Sequence, residues 1–273
     1  MLAGASSIAL GFFLVAFVFV GLAIYFALAW QISTRRSTTE AAAGGAPVRT
    51  FGLPEVFLGG ALVSLVLLNI YTALTRSRVQ LSSRSLTENL LATVFIVFFV
   101  AAFLKLRRID LDSLGGFSKT SLKRALSTAV ILLLAATPLI FLAEVLTQNA
   151  FGSGSSRQEI VDLFNSSSTI EQRVMIIVLA VVVAPISEEF IFRFFIYGVM
   201  RRYFGIAVGL VFNALLFAAA HTHLPSAAPL FVLGTCFTLA YEWSGSILVS
   251  MAMHSLFNSV QLIFLAFPEL VQQ

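Results

Sequence analysis

Three short polar patterns interrupt an otherwise apolar chain: Glu188-Glu189-x-x-x-Arg193, Phe217-x-x-x-His221 and His254-x-x-x-Asn258. A carboxylate, two imidazoles and a carboxamide gathered around a water are the equipment for hydrolysing an amide without a covalent intermediate. Glu188 is the candidate base for the water. His221 can hold the same water or share its proton, and His254 and Asn258 can donate hydrogen bonds to a developing oxyanion. Ser187 and Ser255 adjoin these groups, but neither has a base placed for it.

Spacing divides the set into roles. Glu189 and Arg193 are four apart with the acid first, the favourable helical order for an ion pair. Such a pair lets both charges exist inside a membrane, and Arg can hold the carboxylate bidentately. Glu188 lies about 100° around the helix from Glu189, so it need not share that arginine. His254 and Asn258 project from one face, one turn apart, and Phe217 sits beside His221 by the same rule. Each group also has a plainer reading. Glu189–Arg193 is equally a structural staple, and a single His or Asn in a membrane is often only an interhelical hydrogen bond. His223, next to Pro225, reads as interfacial, and Glu144 and Glu242 read as span-end residues that snorkel or sit in loops.

The elements that must position these residues are membrane helices. Of 273 residues, 59% are hydrophobic and 11% charged, against about 25% charged in a soluble domain. The deficit runs along the whole length, which excludes a soluble protein with one anchor. A span needs about 20 apolar residues. Eight are read, at roughly 7–30, 55–75, 89–105, 125–146, 172–200, 205–222, 226–243 and 245–265. The fold class is therefore all-α, a polytopic transmembrane helical bundle with an intramembrane polar cavity. Pro185 inside the fifth span predicts a kink or break. The apolar run within Met1–Trp30 has no basic residue ahead of it, so it reads as a retained span rather than a secretory signal. No lipidation motif is visible at either end. Two regions are expected: 1–147, about four spans, and 172–265, which carries the chemistry. Between spans, Gln31–Gly52 reads as a flexible linker. Gln148–Gln172 contains an amphipathic stretch, Arg157–Phe164, suited to the interface.

Loop charge orients the bundle. One side receives Arg35, Arg36, Arg49, Lys105, Arg107, Arg108, Lys119, Lys123, Arg124, Arg201 and Arg202, eleven cations, against five on the other (Arg76, Arg78, Arg84, Arg157 and Arg173). The positive-inside rule places the Lys105–Arg124 loop in the cytoplasm and both termini outside; in a bacterial host the membrane would be the plasma (inner) membrane. At about 1.5 Å per residue, Glu188 then lies roughly 20 Å from the cytoplasmic end of its span, His254 roughly 14 Å, Asn258 roughly 20 Å and His221 roughly 24 Å. These depths overlap, so the groups can meet in one pocket toward the cytoplasm. The net charge of +4 reports loops and gives no reason to expect nucleic acid. Cys236, the single cysteine, forms no internal disulfide and reads as a small buried residue.

In this order and context, with Ala184-Pro185-Ile186-Ser187 before the glutamates and Gly245-Ser246-Ile247 before the last pattern, the chain resembles the CPBP family of intramembrane glutamic endopeptidases. These are CAAX prenyl protease-like proteins that include bacteriocin-processing and Abi-type members. The resemblance covers roughly 172–262. It implies a helical bundle with a conical cavity and a metal-independent glutamic protease in which Glu188, helped by His221, activates water. It also implies that His254 and Asn258 form the oxyanion site, and that Glu189, Arg193 and Phe217 support it. The implied substrate is a peptide or membrane protein, possibly lipidated, reached from the bilayer. One departure is Phe194, where the family often has glycine directly after the arginine; a narrowed cavity or altered helix packing is expected. Two alternatives stand beside this reading. The first is a zinc enzyme using His221, His223, His254 and Glu188, although the HExxH motif is absent. The second is a non-catalytic scaffold, immunity factor or proton-coupled transporter of the same fold.

Overall fold

The computed structural model describes residues 2–39, 51–75, 83–151 and 169–267, with residues 164 and 167. The Arg157–Phe164 stretch except Phe164, most of both linkers, and Arg49, Arg76 and Arg78 fall outside these residues. The described residues are helical: α1 Leu2–Thr39, α2 Leu53–Thr75, α3 Ser83–Leu106, a short α4 Leu111–Gly115 and α5 Leu122–Phe151. A long helical run follows, consisting of α6 Ile170–Val178, a π-helical turn Leu179–Val183, α7 Ala184–Glu188, a second π-helical stretch Glu189–Ile196 and α8 Tyr197–Ala220. A 3₁₀ turn, Leu224–Ser226, leads into α9 Ala227–Ser244, and α10 Ile247–Ala266 ends the described chain. Among the described residues, six stretches are long and apolar enough to cross a bilayer, including the whole of Ile170–Ala220, and a shorter apolar stretch lies at Leu90–Leu106. This is a multi-pass integral membrane protein.

The Ile170–Ala220 run is not one rod. Gly205 has φ 81° and ψ 174°, a region that is essentially glycine-only, and the chain folds back on itself there. A Cβ built at Gly209 would stand 3.0 Å from the Arg201 amide nitrogen and 3.3 Å from Cε2 of Tyr197. In a straight helix the twelve residues between 197 and 209 would span about 18 Å. Arg193 and Phe217 lie equally far on either side of Gly205, and the guanidinium rests 4.0 Å from the Phe217 ring centroid. The hairpin therefore separates the fifth and sixth spans where the hydrophobicity pattern divides them. With its two arms and Leu90–Leu106 counted apart, the eight expected spans are all helical.

Pro185 does not break the run. It lies inside α7 and is flanked by the two π-helical stretches, which absorb the missing backbone donor. Around this hairpin the other helices assemble: α9 packs on α8, α5 and α1, and α10 packs on α5, α9 and both π-helical stretches. Outward-facing Phe and Leu side chains on α1, α2, α3 and α5 remain exposed, among them Phe12, Phe57, Phe98 and Leu134. That is the inverse of a soluble surface and suits lipid.

The basic end of the bundle carries two ion pairs. Glu55, 1% exposed at its side chain, accepts from Arg107 Nε at 3.0 Å and from the Gly52 amide at 2.6 Å, tying α2 to the end of α3. Glu242 is not a snorkelling or loop residue as expected. Its side chain is 4% exposed and pairs with Arg201 Nη1 at 2.7 Å, joining α9 to α8. Glu144 matches its expected place near a span end, where it accepts from Gln148 on the exposed side. Cys236 is buried and forms no disulfide, as its apolar surroundings suggest.

Candidate active site

Glu188 closes α7 and Glu189 opens the second π-helical stretch, so the two carboxylates face different surroundings. Glu189 is fully buried. Its Oε1 accepts from Arg193 Nη1 at 2.9 Å and from His254 Nδ1 at 3.0 Å. Glu188 keeps 28% of its side-chain exposure, while its Oε2 is buried and accepts no hydrogen bond from the protein. That oxygen lies 3.9 Å from His254 Nε2. One glutamate is buried with Oε1 held by Arg193 and His254, and its neighbour is partly exposed and accepts no hydrogen bond through Oε2.

Arg193 is held on three sides. Glu189 takes one nitrogen, the Gly234 carbonyl accepts from Nη2 at 3.4 Å, and the cation lies 4.0 Å from the Phe217 centroid and 5.2 Å from that of Phe237. Contacts of this kind contribute about 2 kcal/mol or more when desolvated. Gly234 permits the approach, since a Cβ there would meet Arg193 Nη2 at 3.3 Å and Phe217 Cδ1 at 3.1 Å. The Gly234 carbonyl also accepts from Thr238, whose hydroxyl accepts from Asn213, so a buried polar chain continues along α9 and α8.

His254 on α10 stacks on Phe237, with centroids 5.0 Å apart and planes 29° apart, and meets Phe217 edge-on at 5.9 Å. Phe217 in turn contacts the His221 ring at 4.8 Å, so one aromatic ring stands between the two imidazoles. His221, at the end of α8, has its Nδ1 2.8 Å from the Phe217 carbonyl. A carbonyl only accepts, so Nδ1 carries the proton and Nε2 of the neutral ring is left as an acceptor. Because Glu189 is bound at Nδ1 of His254, that ring is oriented by the same logic.

Asn258, one turn beyond His254, donates from Nδ2 to the Ala180 carbonyl at 2.8 Å. That acceptor comes from the first π-helical turn. The Ala184 amide bonds to Leu179, and in this register the donor for Ala180 would be residue 185, a proline with no N–H. Asn258 supplies the missing donor.

The structure brings Glu188, Glu189, Arg193, Phe217, His221 and His254 into one contiguous cluster, with Asn258 adjoining it on α10. His223 lies apart from these contacts and bonds within its own 3₁₀ turn, Nδ1 to Ser226 Oγ at 2.8 Å. Among the described residues no three His, Cys, Asp or Glu side chains converge at metal-ligand spacing. Phe194 does not face the site. It is 1% exposed, stacks on Phe190 at 5.0 Å and meets Phe51 edge-on at 6.3 Å. Sequence reasoning misses Phe237, Gly234 and the Ala180 carbonyl. Phe237 and Gly234 sit in an apolar helix with no distinguishing pattern, and a backbone carbonyl has no sequence signature except through Pro185.

Residues 170–260 match the family model described as type II CAAX prenyl endopeptidase Rce1-like. This part of the chain is similar to that family. MroQ, a membrane-embedded CAAX protease of Staphylococcus aureus (strain USA300), is 29% identical over 89 residues. Those residues are 30% of this chain and 36% of that relative, so the similarity spans about a third of each. No solved structure matches. All three motifs fall within the matched segment.

Proposed function

We propose that the protein is an intramembrane endopeptidase that hydrolyses a peptide bond with a water activated by Glu188. The observation that carries this reading is the contrast between the adjacent carboxylates. Glu189 is fully buried and its Oε1 is held by both Arg193 and His254, whereas Glu188 keeps 28% of its side-chain exposure and its Oε2 accepts no hydrogen bond from the protein.

In this account Glu188 takes a proton from the water as it attacks the scissile carbonyl. His221 shares the water through its Nε2. The oxyanion is met by an N–H of Asn258 and by His254 Nε2–H. The latter requires His254 to be imidazolium, since its Nδ1 proton is given to Glu189. Glu188 then passes its proton to the leaving amine. The donor set supports a reaction without a metal. A substrate entering from the bilayer, membrane-associated or lipidated, suits a site within the spans, and the basic end of the bundle favours a cavity toward the cytoplasm of a bacterial inner membrane.

A scaffold or transporter reading predicts no chemistry at Glu188. The test is to compare protein termini in membranes of cells carrying wild type or Glu188→Ala. New termini present only with wild type support proteolysis. Identical sets, with the variant made in normal amount, overturn it.

A further inference from the structure

The proteolytic reading assigns Asn258 to the oxyanion but leaves open what aims its amide. A carboxamide on a flexible side chain can present either end, and only one end donates. Here the answer lies on a different helix. Pro185 cannot donate to the Ala180 carbonyl and Ala184 is engaged by Leu179, so that carbonyl points at Asn258 with only a side chain available to satisfy it. An unmatched carbonyl buried between helices is costly. It therefore fixes which end of the amide turns toward α6 and α7. The amide nitrogen faces Ala180, and one of its two N–H groups remains for the substrate.

We propose that Pro185 is a positioning residue for the reaction. By leaving the Ala180 carbonyl without a backbone donor, it sets the orientation of Asn258 and makes the second N–H available to the oxyanion. The same proline stands three residues before Glu188, in the same short helix. This inference rests on the proteolytic reading for its catalytic half and on hydrogen-bond geometry alone for its structural half.

Pro185→Ala separates the possibilities, because the substitution restores a backbone N–H at this position and the helix then competes for the carbonyl that Asn258 now holds. Two measurements are made on the full-length protein in lipid nanodiscs. The first is the side-chain amide signal of Asn258 in ¹⁵N-asparagine-labelled protein, assigned by its loss in Asn258→Asp. The second is turnover of a fluorogenic farnesylated peptide with a Cys-aliphatic-aliphatic terminus. The expected result is a shifted or broadened Asn258 signal together with a kcat lower by on the order of 10–100-fold, less than the roughly 10²–10³-fold that complete loss of an oxyanion donor costs. KM should be little changed, and Asn258→Ala added to Pro185→Ala should cost no more than Asn258→Ala alone. An Asn258 signal unchanged by Pro185→Ala overturns the pairing. A shifted signal with unchanged kcat overturns the positioning role. Failure of wild type to cleave the peptide counts against the proteolytic reading and the oxyanion half with it, while the amide signal still decides the pairing.

Discussion

His254 donates through Nδ1 to Glu189 at 3.0 Å and so commits the carboxylate that also holds Arg193. The bond joins two motifs 65 residues apart and turns the other face of the imidazole toward Glu188. If Glu189 were removed alone, Arg193 would stay buried and unpaired. Glu189→Ala should therefore cost about 3–5 kcal/mol, the usual result of breaking a buried pair from one side. Melting of the purified protein in detergent checks this. Glu189→Gln with Arg193→Met should melt closer to wild type than Glu189→Ala does.

Gly205 makes the hairpin that brings Phe217 and His221 back beside Arg193. A Cβ at Gly205 would meet nothing within 4 Å, so any penalty for Gly205→Ala is purely conformational. It should be about 1–3 kcal/mol, read as a lower melting temperature. An unchanged melting temperature would mean that the turn does not need this backbone conformation.

Phe194 occupies the joint between the second π-helical stretch and Phe51 at the head of α2. Phe194→Ala should destabilise by about 3–5 kcal/mol, as large aromatic truncations in packed cores do. Its effect on substrate range should be small, because the ring faces away from Glu188. A broadened substrate range with little loss of stability would place the ring in the cavity after all.

Zinc offers a sharp contrast with the proposed chemistry. Treatment with a strong chelator should leave peptide cleavage unchanged, and added zinc should not raise it. Loss of cleavage on chelation with recovery on zinc addition would replace the glutamate mechanism with a metal one.

The polar positions are legible in the sequence because a membrane makes them conspicuous. Charged residues inside apolar spans cost enough to demand a reason, and the i,i+4 spacing of Glu189 and Arg193 points directly to their pairing. Helix number is legible from length and hydropathy, and Gly205 sits between two spans that the hydrophobicity pattern separates. Long-range partners are not legible. Nothing local says that His254 turns to Glu189, that Arg193 lies between Phe217 and Phe237, or that Glu242 is buried against Arg201. A proline in a helix removes a hydrogen bond, which is why Pro185 predicts a kink. The chain meets that loss by shifting into π-helical register, and the freed carbonyl falls to a residue 78 positions away. For Phe194, the direction a side chain takes from a π-helical stretch depends on a register that periodicity at 3.6 residues does not describe.

The central claim is that Glu188 is the base, and Glu188→Gln tests it most directly because the amide keeps the shape and loses the basicity. In nanodiscs, with the farnesylated fluorogenic peptide, kcat should fall by about 10²–10⁴-fold while the melting temperature stays at the wild-type value. A variant that retains turnover within a few fold of wild type would contradict the account.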